Sequence, residues 1–274
     1  MKTFKDKVIV ITGGATEIGF AFAKAMGQEG GKIVLASRRL EKVQEAVNIL
    51  RSVGIEASGT TCDVSKRDQV IELKAFANES YGRVDVLLNS AGVSQQQAPI
   101  VGTDMSVYQD LFAINYFGVI HCIQVFSEDL LQADAPAAIY NVGSENSLFS
   151  GVPMASAYIS TKHALHALTV SLLEEAPSHL SVSLIVPGLV QSELSSGFLK
   201  GMEVDRFVGV IMNQLKEEQF YCVSHAYNQV RINERYEALN TAYNTFARRY
   251  ENDAEFDVRS QLDKLMQKKE NNNE

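Results

Sequence analysis

The sequence contains no tryptophan and only three cysteines among its 274 residues. Cys62, Cys122 and Cys222 lie far apart and lack the paired spacing of a metal site, so we expect free thiols in a reducing compartment. No apolar run approaches the ~20 residues that cross a bilayer. The run Val8–Ile11 is too short for the core of a signal peptide. These absences favour a soluble cytoplasmic protein that does not enter a membrane.

Positive charge is also scarce: 25 Lys and Arg residues stand against 33 Asp and Glu residues, which gives a net charge of -8. Non-specific binding to nucleic acid or to an anionic membrane needs a cationic surface, so the charge argues against both partners. A small anionic ligand is still allowed, because backbone dipoles at a helix start bind phosphate. We therefore expect a small-molecule ligand and no nucleic acid.

Short runs rich in Val, Ile and Leu alternate with longer amphipathic segments. Runs that are apolar on both faces are typical of buried parallel strands. The alternation predicts an α/β fold: a single Rossmann-type, doubly wound parallel sheet with helices on both faces. The predicted strands are Lys7–Thr12, Lys32–Ser37, Ala57–Thr61, Val84–Asn89, Ala137–Val142, Val182–Val186 and Gln219–Val223, and the predicted helices are 18–29, 40–53, 66–81, 105–132 and 155–175.

The alternation stops after Pro187. Residues 193–218 have the pattern of a flexible segment followed by a helix, which we expect to form a mobile lid over the substrate. Residues 226–250 have the pattern of a long polar helix. We interpret 224–274 as a helical C-terminal extension of a single domain, 1–274, that ends in a frayed tail.

The first predicted strand continues into a glycine turn, Gly13–Gly19, that opens a helix. Glycine lets the backbone approach a pyrophosphate, whose charge is met by the helix N-terminus. The same turn also occurs for structural reasons alone. The second strand ends at Ser37 and Arg38, whose hydroxyl and guanidinium suit the 2′-phosphate of NADP, although a solvated basic helix start is the alternative. We expect NADP(H) in preference to NAD(H).

Tyr158 and Lys162 are four residues apart in a predicted helix, so their side chains share a face. An ammonium group beside a phenol lowers the pKa of the phenol, which can then exchange a proton with a carbonyl or an alcohol. Ser144 follows a strand and should emerge at the same sheet edge, where it can hydrogen-bond a substrate oxygen. Asn115 is a polar residue in an apolar helix, and is either a member of a structural network or part of a proton path to Lys162.

In this order the motifs resemble the short-chain dehydrogenase/reductase family. The resemblance covers about residues 5 to 195 and rests on Thr12-Gly13, Ile18-Gly19, Asp63-Val64, Asn89-Ser90-Ala91-Gly92, Asn115, Ser144, Tyr158-x-x-x-Lys162 and Pro187-Gly188. It implies an NAD(P)-dependent oxidoreductase, assembled as a homo-oligomer, that interconverts a carbonyl and a secondary alcohol. By the same resemblance, Tyr158 is the acid/base, and Lys162 lowers its pKa and holds the nicotinamide ribose. Ser144 then positions the carbonyl, and Asn115 supports a water relay.

The candidate cofactor contacts follow from the turn, the strand ends and the resemblance. They are Thr12, Gly13, Thr16, Glu17, Ile18, Ser37, Arg38, Asp63, Val64, Asn89, Ala91, Gly92, Tyr158, Lys162, Pro187, Gly188, Val190 and Ser192. The sequence departs from the family where Glu17 replaces the middle glycine of the turn. A carboxylate suits the helix dipole but repels a pyrophosphate, so it turns to solvent, pairs with a basic neighbour or weakens cofactor binding. We expect the first outcome.

The expected pocket walls are 94–98, 146–153 and 189–210. The last segment is rich in apolar side chains, which favour a substrate with an apolar body but equally fit a core or an interface. A serine hydrolase is disfavoured, because Ser144 lacks the second glycine of a nucleophile elbow. A catalytically silent nucleotide-binding scaffold is the main alternative, since Glu17 favours it. His163 and His166 have no third ligand, so no metal site is expected.

Overall fold

The computed structural model describes residues 1–131, 135–191 and 200–271. The chain divides into two compact units, Met1–Asn228 and Gln229–Glu274. The expectation that 1–274 is one domain stays a prediction, as does the mobile lid, whose residues 193–199 lie outside the described part of the chain.

A seven-stranded parallel sheet forms the centre of the first unit, in the order β3-β2-β1-β4-β5-β6-β7. The order changes direction between β1 and β4, and ligands bind at such a switch point, beyond the carboxyl ends of the strands. The predicted doubly wound sheet is confirmed. The strands are β1 (Val8–Thr12), β2 (Lys32–Ser37), β3 (Ala57–Thr61), β4 (Val86–Asn89), β5 (Ala137–Val142), β6 (Leu180–Val186) and β7 (Tyr221–Val223).

Helices cover both faces of the sheet. They are α1 (Glu17–Gln28), α2 (Leu40–Ser52), α3 (Arg67–Tyr81), α4 (Met105–Phe112), α5 (Gly118–Val125), α6 (Ser127–Leu130), α7 (Ser156–Glu175) and α8 (Val204–Lys216). Alternate residues of β1 enter different cores because successive strand side chains point to opposite faces. Ile9 packs in the cluster that contains Phe22 and Phe207, whereas Val10 packs in the cluster that contains Leu73 and Leu172.

The helix predicted at roughly 105–132 is helical over most of Met105–Leu130, but it is not one uninterrupted α-helix. Helix α4 ends at Phe112, a five-residue π-helical turn follows over Ala113–Phe117, and α5 begins at Gly118. At Gly118 an added Cβ would lie 2.6 Å from the Cγ2 of Val64, so α5 approaches the loop after β3 very closely. A π turn inserts one extra residue per turn and is frequent at functional sites.

The described residues of the second unit lie mainly in two α-helices. Helix α9 spans Asn228–Phe246, a 3-10 turn spans Asp253–Phe256, and α10 spans Val258–Asn271. Helical structure in the C-terminal region was predicted, but α10 extends through most of the tail that we expected to fray. Within this unit the rings of Tyr250 and Phe256 meet edge to face, with centroids 6.3 Å apart.

The three cysteines are free and buried in the first unit. Burial raises the pKa of Cys62 to about 12 and that of Cys222 to about 11, and it also raises the pKa of Cys122. Within the described ranges, no helix is long and apolar enough to cross a bilayer.

Candidate active site

A cavity of about 1110 Å³ lies at the carboxyl edge of the sheet. Most of the predicted site residues line it: Gly13, Thr16, Glu17, Ile18, Ser37, Arg38, Asp63, Val64, Ala91, Gly92, Ser144, Tyr158, Lys162, Pro187, Gly188 and Val190. Thr12, Asn89 and Asn115 are instead buried behind the lining. Ser192 falls outside the described residues. One cavity therefore brings together the glycine turn and the predicted catalytic side chains.

The glycine turn presents bare backbone to this cavity. Gly13 has a left-handed φ of 66°, and a Cβ there would lie 2.8 Å from the backbone of Ala91. The Ala91 amide donates a hydrogen bond to the Thr12 hydroxyl over 3.3 Å. The chain segments that follow β1 and β4 thus approach so closely that only glycine fits at position 13. This leaves a concave stretch of main chain at the N-terminus of α1, which suits a phosphate group.

Glu17 has an unusual conformation at the first position of α1. Its φ of 51° lies in the left-handed region, which glycine adopts freely and a residue with a Cβ adopts at a cost. The side chain is half-buried and lines the cavity, so it does not turn fully to solvent as we expected. The glycine of the family pattern is thus missing where the backbone conformation calls for one.

The end of β2 supplies positive charge to the opposite wall. Arg38 and Arg39 are exposed and line the cavity, and among the described residues neither forms an ion pair. Asp63 closes this end of the cavity, and its carboxylate accepts hydrogen bonds from the Ser65 amide (3.0 Å) and hydroxyl (2.7 Å). This end of the cavity therefore carries two guanidinium groups.

Asn115 lies in the π turn and links three segments. Its Oδ1 accepts a hydrogen bond from the Val93 amide over 2.8 Å, and its Nδ2 donates to the Val93 carbonyl (2.9 Å) and the Thr161 hydroxyl (3.1 Å). Thr161 in turn donates to the Tyr158 carbonyl over 2.7 Å. These contacts favour the structural alternative for Asn115, since they join the loop after β4 to α7. The proton path stays a prediction.

Lys162 is buried behind the phenol of Tyr158. Its Nζ donates a hydrogen bond to the Val142 carbonyl over 2.9 Å and lies 5.7 Å from the centroid of the Tyr158 ring. Burial lowers the pKa of Lys162 to about 8, because the ammonium form loses its hydration. The amine therefore titrates well below the usual range of a lysine, but it still carries its charge at neutral pH.

Tyr158 differs from the expectation of a lowered pKa. Burial raises the pKa of its phenol, a hydrogen bond from Ser144 opposes the rise, and the charge of Glu145 adds to it. The expected lowering of the Tyr158 pKa is wrong for this structure, because loss of hydration is the largest effect on the phenol and the charge of Glu145 adds to it. The phenol is consequently protonated at neutral pH.

Ser144 begins a short helical turn, Glu145–Ser147, directly after β5. Its Oγ accepts hydrogen bonds from the Asn146 amide (3.1 Å) and side chain (3.2 Å), while its own amide donates to the Ser147 hydroxyl over 3.1 Å. Both sides of the residue are held, so the hydroxyl is fixed at the cavity wall beside Tyr158.

A family model described as short chain dehydrogenase matches residues 7–202. The chain belongs to the short-chain dehydrogenase/reductase family. Membership makes it an oxidoreductase, of the dehydrogenase/reductase kind, that acts on small molecules, and the fold implies binding of NAD(P).

Individual relatives extend this comparison. A-factor type gamma-butyrolactone 1'-reductase (1S-forming) of Streptomyces virginiae is 30% identical over 190 residues, which cover 69% of this chain and 74% of the relative. Tropinone reductase-like 3 of Erythroxylum coca is 30% identical over 221 residues, 80% and 81% of the two chains. A short-chain dehydrogenase/reductase from Burkholderia phymatum, solved in complex with NAD, superposes with a TM-score of 0.81 at 26% identity and covers 88% and 96%.

Several residues of this short-chain dehydrogenase/reductase site were not predicted individually. The Tyr158 amide donates to the Gln95 side chain over 2.9 Å, and Asn146 accepts from the amides of Gly151 (2.9 Å) and Val152 (3.2 Å). His225 packs on Gly188, where an added Cβ would lie 2.7 Å from its Nδ1. The sequence placed Gln95 and Asn146 in expected walls, but it carries no signal that brings His225 from beyond β7 to the site.

Proposed function

We propose that this protein is an NADP(H)-dependent reductase that interconverts a carbonyl group and a secondary alcohol on a small molecule. The observation that carries the proposal is the shared cavity, which has the glycine turn at one end and Ser144, Tyr158 and Lys162 at the other. When bound, the nicotinamide supplies the hydride. The name of the Streptomyces virginiae relative, a reductase, supports the reductive direction.

In this proposal Tyr158 is the proton donor. Its raised pKa keeps the phenol protonated at neutral pH, so the hydroxyl can donate to a carbonyl oxygen that gains negative charge. Ser144 donates a second hydrogen bond to the same oxygen from a position fixed by Asn146. Together they orient the carbonyl and stabilise the developing alkoxide.

Lys162 has a holding role in the same scheme. Its Nζ donates a hydrogen bond to the Val142 carbonyl, which leaves two further N–H donors for a bound ligand. We expect them to meet the hydroxyls of the nicotinamide ribose. Asn115 fixes the surrounding loop through Val93, and it is the residue that would hold a water beside Lys162.

The preference for NADP(H) rests on the end of β2. Arg38 lines the cavity, and among the described residues it forms no ion pair, so its charge is available to a phosphate. Ser37 is half-buried beside it and offers a hydroxyl donor. No acidic residue occupies these two positions to bind a ribose diol.

The substrate that we propose has an apolar body. The described wall near Tyr158 contains Val152, Ala155 and Leu189. The apolar residues expected at 194, 198 and 199 lie outside the described part of the chain. We also propose a homo-oligomer through the helices that carry Asn115 and Tyr158, where Phe117 is half-exposed.

The test of the proposal is Tyr158→Phe. We expect NADPH fluorescence titration to give an unchanged Kd, because the ring remains in place. Turnover of a panel of ketones and aldehydes should fall by about 10²- to 10⁴-fold, the usual contribution of a positioned acid. Tyr81→Phe, remote from the cavity, is the matched control and should retain full activity.

Two results would contradict this function. Unaltered turnover in Tyr158→Phe removes the assignment of the acid. NADPH binding by the wild-type protein without turnover of any carbonyl supports the second candidate, a catalytically silent nucleotide-binding scaffold, which the strained Glu17 at the glycine turn favours.

A further inference from the structure

The substrate end of the cavity carries an unusual negative charge. Among the described residues, the charged side chains that line the cavity are Glu17, Arg38, Arg39, Asp63, Glu145 and Lys162. The first four belong to the glycine turn and to the ends of β2 and β3, and Lys162 is anchored on a carbonyl. Glu145 is therefore the carboxylate on the side where Ser144 and Tyr158 lie.

The backbone and the surroundings of Glu145 fix where its carboxylate lies. The Glu145 amide donates to the Pro187 carbonyl over 2.7 Å, which ties the residue to the end of β6. A Cβ added to Gly151 would lie 3.2 Å from Oε1 of Glu145. The side chain is half-buried, and its charge acts on the Tyr158 phenol. The carboxylate thus lies at the substrate wall.

No cationic side chain in the described part of the chain forms an ion pair with Glu145. His225 is the nearby titratable group, and both of its ring nitrogens are engaged: Nε2 is 3.1 Å from the Leu189 carbonyl and Nδ1 is 2.7 Å from the Ser224 hydroxyl. Because a carbonyl only accepts, Nε2 is the donor to Leu189, and the two hydrogen bonds of the ring are therefore made with Leu189 and Ser224. Burial raises the pKa of Glu145, and His225 and the Asn228 amide only oppose that rise.

A half-buried carboxylate that forms no ion pair among the described residues is costly, and a cation placed beside it in the cavity relieves the cost. We propose that Glu145 is a specificity-determining residue that selects carbonyl or alcohol substrates bearing an ammonium group, protonated or quaternary. The apolar residues Val152, Ala155 and Leu189 line the same wall and would contact the hydrocarbon part of such a substrate. This inference rests on the proposed function.

The test uses two ketones that share shape and size and differ in charge. These are 1,1-dimethyl-4-oxopiperidinium, a permanent cation, and 4,4-dimethylcyclohexanone, its neutral counterpart. With NADPH and the full-length wild-type protein, we expect a higher kcat/KM for the cation. Glu145→Gln should lower kcat/KM for the cation about tenfold, through KM, as expected for loss of an interaction with a charged group. Any effect of Glu145→Gln that acts through the Tyr158 phenol falls on both ketones alike. The ratio of kcat/KM for the cation to kcat/KM for the neutral ketone is therefore the quantity that should fall about tenfold.

Glu79→Gln is the matched control, because Glu79 is an exposed carboxylate on α3 outside the cavity. Glu79→Gln should leave kcat/KM unchanged for both ketones. If Glu145 acts only through Tyr158, Glu145→Gln will instead shift the pH profile of kcat equally for both ketones, and the inference is overturned.

Other outcomes separate the inference from the proposed function. Equal or better turnover of the neutral ketone by the wild-type protein overturns the inference but leaves the reductase intact. Failure of both test ketones, with turnover of other carbonyls, overturns it as well. NADPH binding with no turnover of any carbonyl contradicts the proposed function itself.

Discussion

At the scale of the residue, the burial of Lys162 shows that an active-site side chain can lower the free energy of unfolding. A lysine buried behind a tyrosine keeps a single described hydrogen bond, to the Val142 carbonyl, in place of its hydration. Its pKa falls from 10.5 to about 8, which corresponds to roughly 3 kcal/mol against the charged form. An apolar residue of similar length would avoid this cost, so the lysine is explained by function rather than by folding.

We therefore expect Lys162→Met to lose activity and gain stability. At pH 7 the free energy of unfolding should rise by about 1 to 2 kcal/mol, because the removed desolvation cost exceeds that of leaving the Val142 carbonyl unpaired. The folded pKa is the lower one, so between pH 8 and 10.5 the unfolded wild-type chain binds more protons and wild-type stability rises with pH. The advantage of the variant should shrink across that window.

Urea unfolding at pH 7 and pH 10 measures this difference. Lys66→Met removes an exposed lysine outside the cavity, so its free energy of unfolding relative to wild type should not depend on pH between 8 and 10.5. A Lys162→Met protein that is less stable than wild type at pH 7 would show that the buried ammonium stabilises the fold.

At the scale of the element, the start of α1 combines a strained backbone with an unfavourable charge. Glu17 adopts a glycine conformation and places a carboxylate where we expect a pyrophosphate. The two effects can be separated, because Glu17→Gln removes the charge and keeps the strain, whereas Glu17→Gly removes both.

We expect both Glu17 variants to bind NADPH several-fold more tightly than wild type, since each removes the repulsion. Relative to Glu17→Gln, Glu17→Gly should have a free energy of unfolding higher by about 1 kcal/mol, the cost of a left-handed residue with a Cβ less the entropy that glycine loses. Fluorescence titration and urea unfolding give the two quantities. Equal stability of the variants would show that the left-handed backbone carries no strain.

The bounds of strands and helices show which elements can be predicted from the sequence and which cannot. Strands such as Lys32–Ser37 were predicted with their final bounds, because buried parallel strands are apolar on both faces. The π turn at Ala113–Phe117 was missed, since its residues continue the apolar pattern of a helix. A local apolar pattern predicts the type of element, but it carries no signal for a one-residue insertion within a helix.

At the scale of the whole molecule, the predicted site depended on topology. Parallel strands bring their carboxyl ends to one edge, so residues as distant in sequence as Gly13 and Ser144 could be placed together. The direction of the Tyr158 pKa shift could not be predicted in this way. It depends on burial and on the charge of Glu145, and a sequence motif shows neither. The approach of His225 to Gly188 also arises only from tertiary packing.

Cofactor preference is likewise measurable on the whole molecule, because a ligand that binds only the folded state stabilises it. At one hundred times its Kd, NADPH should raise the free energy of unfolding of the first unit by about 2.7 kcal/mol. At equal concentration NADH should stabilise less. In calorimetry, Arg38→Asp should reduce the stabilisation by NADPH and leave the stabilisation by NADH unchanged. Arg67→Asp, which lies outside the cavity, should leave the stabilisation by both cofactors unchanged. An unaltered preference in Arg38→Asp would remove the argument for NADP.

The buried cysteines have a practical consequence. Thiol-reactive dyes attack the thiolate, and burial raises the pKa of Cys62, Cys122 and Cys222 well away from the range in which thiolate forms. The native protein should therefore remain unlabelled under mild conditions. A single cysteine introduced at Val101, which is 98% exposed, would accept a fluorophore without prior removal of the natural thiols. Movements of the loop beyond β4 could then be followed optically during turnover.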